Sequence, residues 1–273
     1  MRKAALMGLG QAAGNKGHRV NKSVLDCAVV KQIVDATSVP QAWQVMRNVV
    51  RDFGFDNLLY GTNRLLGPGI FGEKKDTFFL SDLPEDIMGP LWQEELYRTI
   101  PVAIWAIQNE GAKSLRHGGN LYHAGILPPE QAKTQKQLTD MGVTSGYVIG
   151  FNRPGQPVVS AMAMINFGRN HDQTEAVWKA HAETIMGYVS IFHLRVNNLP
   201  VPIPSKRLTR RQSEVLKWVG AGKTTAEIAT ILGLSPATIE KHLRQVRDTL
   251  GVSTTTQAVL HAQINSQIFS IAE

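Results

Sequence analysis

The side chains able to do covalent or metal chemistry are few and scattered. Cys27 is the one cysteine, which excludes a disulfide framework and any multi-cysteine zinc or iron–sulfur centre. A thiol becomes a nucleophile beside a base or a cation. The mostly apolar run 24–30 gives Cys27 no histidine, so it reads as core filler. Of eight histidines, His117 and His123 lie six apart around Gly118 and Gly119, and His181 and His193 stand isolated. None has the spacing of a ligand set, so no metal is expected. Gly8, Gly10 and Ala13 match the dinucleotide fingerprint G-x-G-x-x-A. That motif works between a strand and a helix; here only a four-residue apolar run precedes it and residues 15–19 open no helix, so it reads as a chance match. With no nucleophile–base pair in view, the sequence argues against an enzyme and against a cofactor.

The cations are more informative. The net charge of +7 divides as +5 over residues 1–23, −2 over 24–198 and +4 over 199–273. A mildly acidic body between basic segments suits a protein that approaches a polyanion. From Leu208 the chain punctuates itself as four short helices. Thr209 with Gln212, and Thr224 with Glu227, have capping-box spacing. They open helices with Val215, Leu216 and Val219, then Ile228, Ala229, Ile231 and Leu232, facing inward. Gly222 stops the first and Gly233 makes the tight turn after the second. Ser235 and Pro236 start a third helix running to about Leu250, with Ile239, Leu243, Val246 and Leu250 as its buried stripe. Its outer face offers Ala237, Glu240, Lys241, Arg244, Arg247 and Asp248. A fourth helix is expected over 255–268, with Ala258, Val259, Ala262 and Ile268 on one face. Two short helices, a glycine turn and a basic outer face make a helix-turn-helix, whose second helix reaches base edges in the major groove.

The preceding body reads as α+β. Helices are expected over 29–36, 38–52, 87–97, 128–141 and 172–195, the last with Ala176, Val177, Ala180, Ile185, Val189, Phe192 and Leu194 inward. Strands are expected over 57–65, 77–80, 144–151 and 158–167, the last two joined by the turn Asn152-Arg-Pro-Gly155. Residues 101–107 are apolar and fit either helix or strand. The expectation is an α/β/α sandwich with a small antiparallel sheet. Prolines 200, 202 and 204 stiffen the chain and mark the boundary before the C-terminal all-α module. No run of about 18 apolar residues exists, and residues 4–9 are too short for a secretory signal, so no membrane partner is expected and the default reading is cytoplasmic.

Within the module, Leu208, Thr209, Arg211, Glu214, Val215 and Leu216, then Gly222-Lys223-Thr224, Glu227-Ile228-Ala229, Leu232, Ser235, Thr238, Ile239, His242 and Leu250-Gly251-Val252, closely resemble the DNA-binding domain of the LuxR family without a gap over residues 205–268. The resemblance implies a four-helix module that works as a homodimer on a palindromic operator in double-stranded DNA. By position in that motif Glu240 and Arg244 face bases. Lys223, Thr224, Lys241 and Arg247 face phosphates, Thr225, Ser235 and Thr238 complete the DNA-binding set, and His242 packs. Gln212 stands where the family usually has Glu, and Thr249 where it usually has Lys, which removes a phosphate contact.

A phosphoacceptor receiver in front of this module would need an acidic pair after a first strand, and the body has none. Asp52-Phe-Gly-Phe55, Ser81-Asp-Leu-Pro84, Pro101-Val102 and Gly142-Val-Thr-Ser-Gly146 instead resemble the autoinducer-binding domain of quorum-sensing LuxR-type regulators. The implied organisation is a flexible basic extension at 1–23, an autoinducer-binding-like sensory and dimerisation domain at 24–197, a Pro-rich linker at 198–207 and the helix-turn-helix domain at 208–273. Such a domain resembles a closed apolar pocket in which a Trp, an Asp and a Tyr hold an acyl-homoserine lactone. Aligned without gaps over residues 84–101, those positions are Ile87, Ile100 and Leu91, and a second aromatic position falls on Leu115. Under a shifted alignment Trp92 and Tyr97 supply aromatic donors, and Tyr60 and Ser160 are polar candidates from the strands. Three readings stand: a regulator independent of lactones or responsive to a different small apolar ligand, an ordinary acyl-homoserine lactone receptor, and a chain that acts by heterodimerising with another regulator. The intact cations of the third helix favour DNA binding over the last.

Overall fold

The stripe expected over residues 38–52 folds as a helix because both its ends are chemically marked. In this computed structural model, which describes residues 24–63, 77–152, 159–199, 207–264 and 267–268, α2 (Val39–Phe53) has Pro40 in its first turn and ends on Gly54, at a φ of 90° that glycine adopts freely. The residue 8–13 match, most of the 152–155 turn and most of the linker lie outside the described residues. Ahead of α2, Asp26 Oδ1 accepts from the Ala28 N–H at 2.8 Å and caps α1 (Cys27–Asp35), which buries Val29 and Ile33. Cys27 precedes Val29 by two residues, which puts it across the helix from that stripe; it is exposed rather than packed, correcting the core role expected of it.

Five antiparallel strands, β1 (Asn57–Asn63), β2 (Thr77–Ser81), β3 (Glu110–Ser114), β4 (Ser145–Phe151) and β5 (Val159–Asn166), form a sheet in the order β2-β1-β5-β4-β3. Register decides what each face carries. Leu58 pairs with Met164, Tyr60 with Met162 and Thr62 with Ser160, whereas Leu59 pairs with Ala163 and Gly61 with Ala161. Alternation sends the first set to one face and the second to the other. The first face lies under α2 and α7 (His171–Asn197), where Tyr60 meets Phe192 edge-on at 5.5 Å and Trp43 meets Phe192 at 6.1 Å. α7 buries Ile185, Tyr188, Val189, Phe192 and Val196, but Ala176, Ala180 and Leu194 are exposed, Leu194 by 63%. Leu194 follows Phe192 by two residues, about 200° around the helix, so the stripe that holds Phe192 excludes it.

α3 (Glu85–Gln93), α4 (Pro101–Gln108), α5 (Arg116–His123) and α6 (Pro129–Asp140) belong to the layer over the second face, completing the α/β/α arrangement. The helix expected over 87–97 is divided. α3 ends at Gln93, Glu95 takes a φ of 54°, and Leu96–Arg98 form a separate 3₁₀ turn. The apolar run at 101–107 is α4. β3 and α5 escaped the sequence reading: Glu-Gly-Ala-Lys-Ser is an edge strand without apolar alternation, and α5 contains two adjacent glycines. Asn152 fastens the β4–β5 end to α4, its amide donating to Ala106 O at 2.8 Å and Ser160 O at 3.1 Å while its oxygen accepts from the Ser160 N–H at 2.8 Å.

Asn197 ends this unit and Asn198 begins the second. There α8 (Arg210–Gly220), α9 (Thr225–Leu232), α10 (Pro236–Leu250) and α11 (Thr255–Ile264) enclose Val215, Leu216, Ile228, Ala229, Ile239, Leu243, Val246, Leu250, Ala258, Ala262 and Ile268. Both capping boxes form. Two details differ from expectation. Ile231 lies at the flank of the Ile228–Ala229–Leu232 stripe and is 45% exposed, and α11 stops at Ile264, with Ile268 still buried in the core beyond it.

Candidate functional site

The second face of the sheet is lined by small side chains, and this leaves space. Gly61, Ala161 and Ala163, with Leu59, Ile165 and Val148, floor a cavity of about 130 Å³ roofed by Met88, Leu91 and Trp92 of α3, Tyr97, Ile100, Val102, Ala103 and Ile107 around α4, then Leu115, Leu138 and Val143. A Cβ on Gly61 would lie 2.7 Å from Phe79 Cε1, so glycine there lets the Phe79 ring lie across the strand. Phe79 meets Trp92 edge-on at 4.9 Å and Tyr97 at 5.4 Å, and Trp92 stacks on Tyr97 at 6.0 Å. Among the described residues the lining contains no Asp, Glu, Lys, Arg or His. Its polar side chains are few: Thr62 bonds Ser160, Asn63 Nδ2 donates to Thr77 Oγ1 at 3.2 Å, and burial pushes the Tyr97 phenol up, so it stays neutral.

Among the pocket residues expected from sequence, Leu91, Trp92, Tyr97, Ile100 and Leu115 line this cavity and Tyr60, Ile87 and Ser160 do not. Ile87 is buried beside it with Leu83, Leu96 and Leu138. Tyr60 and Ser160 belong to the opposite face by strand alternation. The Tyr60 hydroxyl lies 3.0 Å from His193 Nδ1, and the Ser160 hydroxyl 2.8 Å from that of Thr62. The residues missed, Leu59, Gly61, Phe79, Ala161 and Ala163, were announced by the same alternation once the strands were placed.

In the second unit, capping and exposure sort the expected DNA-binding side chains. Thr224 caps α9: its hydroxyl accepts from the Glu227 N–H at 3.3 Å, its own N–H donates to Glu227 Oε2 at 2.9 Å, and Lys223 Nζ pairs with Glu227 at 3.2 Å. Ser235 caps α10, its hydroxyl accepting from the Thr238 N–H at 3.2 Å and lying 2.9 Å from the Thr238 hydroxyl. Arg247 is turned to α11, Nη1 donating to Thr255 Oγ1 at 2.9 Å. Thr225 Oγ1 donates to Glu240 Oε1 at 2.9 Å across the α9–α10 corner. Glu240, Lys241 and Arg244 are exposed on one side of α10, opposite its buried stripe. His242 is half-buried, consistent with a packing position.

Residues 38–196 match the family model described as autoinducer binding domain, and residues 206–262 that of bacterial regulatory proteins, luxR family. The chain belongs to the LuxR family of quorum-sensing-type transcriptional regulators. It is similar to the transcriptional activator protein AnoR of Acinetobacter nosocomialis, 24% identical over 81% of this chain and 90% of that one. It is 30% identical to the transcriptional activator protein SolR of Ralstonia nicotianae, over 81% of this chain and 89% of that one. The crystal structure of SdiA from Escherichia coli aligns with 90% of this chain and 97% of its own at 17% identity and a TM-score of 0.49. These LuxR-family relatives are regulators, not enzymes. Among the described residues no helix is long and apolar enough to cross a membrane.

The α9 cap of this LuxR module has a titration signature. The Thr224 backbone N–H, then the Thr224 hydroxyl and the Lys223 ammonium, hold the Glu227 carboxyl down at about 2. A carboxyl depressed on folding stabilises the fold above its unfolded value, 4.5, and loses that contribution as the pH falls toward 2. We expect an NMR titration of the Glu227 side-chain carboxyl to centre near 2. Thr224→Ala removes one donor and should raise the midpoint toward the usual carboxylate range, with earlier unfolding of the module in acid. A wild-type midpoint at the ordinary value would show that the box does not form.

Proposed function

We propose that this chain is a homodimeric regulator that reads a palindromic operator through α10, and that its N-terminal cavity takes a small neutral, apolar ligand in place of an acyl-homoserine lactone. The observation that carries the ligand reading is the lining: aliphatic and aromatic walls with no charged side chain among the described residues. Ile100 and Leu91 stand on that wall where the family's Asp and Tyr anchors align, and Ile87, at the Trp position, lies in the core beside it. A lactone's amide N–H buried there without an acceptor would cost about 1–3 kcal/mol, a roughly ten- to hundredfold loss of affinity. A site lined by aliphatics selects by shape. The DNA reading is supported by the family match over 206–262 and by Glu240, Lys241 and Arg244 sharing one exposed side of α10. In this reading Arg244 and Glu240 address bases and Lys241 a phosphate. Lys223, Thr224, Thr225, Ser235, Thr238 and Arg247 set the two helices and approach the backbone. Ala258 and Ala262 of α11 are buried in the module's own core, so the dimer is assigned chiefly to the N-terminal domain.

Arg244→Ala should weaken specific binding by about 1–3 kcal/mol and relax base preference at one position of each half-site. Lys241→Ala should weaken all sequences alike and flatten the salt dependence by about one unit. Mobility shifts over a salt series measure both, and unchanged affinity and specificity in Arg244→Ala would remove α10 from the groove. In sedimentation at micromolar concentration the full chain should be a dimer and residues 205–273 mostly monomeric, with half-sites about 10 base pairs apart; a monomeric full chain with and without DNA refutes the homodimer. Finally, a ligand at about 100 times its dissociation constant adds ~2.7 kcal/mol, several degrees for a domain of this size. Micromolar acyl-homoserine lactone should leave the melting temperature nearly unchanged. A rise of several degrees, lost in Trp92→Ala, would make the chain a lactone receptor.

A further inference from the structure

Glu240 is an acid on the face proposed to meet a polyanion. It shares one exposed side of α10 with Lys241 and Arg244, and its carboxylate is already half engaged. Oε1 accepts the Thr225 hydroxyl at 2.9 Å, while no hydrogen bond of the described residues ends on Oε2. Thr225 is the first residue of α9, directly after the Thr224 N-cap and inside the Thr224–Glu227 capping box, and is itself half-buried. Its hydroxyl therefore comes from a backbone held in place, and it fixes a side chain that would otherwise sample many rotamers.

A carboxylate pressed against DNA is repelled by phosphates and by most of the major-groove edge. Guanine N7 and O6 and thymine O4 are acceptors, as the carboxylate is. The donors on that edge are the exocyclic amino groups, cytosine N4 and adenine N6. We propose that Thr225 is a specificity-determining positioning residue. It turns Glu240 so that the second carboxylate oxygen accepts from the amino group of one cytosine or adenine in each half-site. This rests on the reading that α10 docks in the major groove. A simple staple between α9 and α10 would be redundant, because Ile228, Ala229, Ile239 and Leu243 already join the two helices through the buried core.

The test uses the full chain and a pool of duplex DNA with randomised half-sites, followed by binding to duplexes carrying each of the four pairs at the selected position. Wild type should select C or A at one position per half-site, with roughly 5- to 150-fold discrimination; the four-pair series tells the cytosine amino group from the adenine one. Thr225→Val keeps the shape and removes the hydroxyl. It should cut that discrimination roughly tenfold, the scale of one hydrogen bond, while the preference at the Arg244 position stays unchanged. Thr225→Ser should restore it, and Glu240→Gln, whose amide pairs well with adenine, should move the preference toward A. A Thr225→Val profile identical to wild type, or a uniform loss at all positions with a lowered melting temperature, overturns the proposal. A wild-type protein that retains no DNA from the pool overturns the operator reading and this inference with it.

Discussion

Much of the N-terminal domain depends on the register between β1 and β5. Pairing Tyr60 with Met162 and Leu58 with Met164 gathers large side chains on one face, where Phe192 and Trp43 close over them. The same pairing places Gly61 opposite Ala161 and Leu59 opposite Ala163 on the other face. A slip of one residue would exchange the two sets. The large face would then meet the helices around α4, and no space would remain for a ligand. The filled and the hollow side of the sheet are thus two consequences of one hydrogen-bonding register.

The polar side chains at the hollow side are few and are drawn largely into bonds with their neighbours. Asn63 and Thr77 bond each other, and Thr62 bonds Ser160 on the far face. Phe79, Trp92 and Tyr97 pack mutually, with Gly61 giving Phe79 its room. The described wall residues offer no counter-charge to a charged guest, which would surrender its hydration on entry. Shape and apolar surface are what such a site has left to recognise.

The helical module works by the opposite principle. Its recognition surface is polar and exposed, so its geometry is held by caps and by the apolar core beneath. The two capping boxes and the Ser235 cap satisfy N–H groups at the starts of α8, α9 and α10. Left-handed glycines at 233 and 251 close α9 and α10. Several side chains expected on DNA, among them Thr224, Ser235 and Arg247, are engaged in holding helix ends. Glu240, Lys241 and Arg244 keep the exposed side of α10.

The sequence by itself determined the helical module almost entirely, because caps, glycine stops and a 3.6-residue stripe are local signals that a short helix needs and displays. α10 begins at Pro236 and ends at Leu250, with the four buried residues its spacing marked. Extended patterns over 57–65, 144–151 and 158–167, the last two with a turn signal between them, likewise announced β1, β4 and β5. What only the tertiary structure decided was non-local. β3 is an edge strand whose partners, not its composition, make it a strand. The facing of Tyr60 and Ser160 away from the cavity followed from strand register and from which layer covers which face, as did the separation of Ile87 from its lining. Leu194 and Cys27 are exposed because each lies across its helix from the side that packs, and packing decided which side that is. Periodicity tells which side chains share a face. Only packing tells which face is turned to the core, to the cavity or to water.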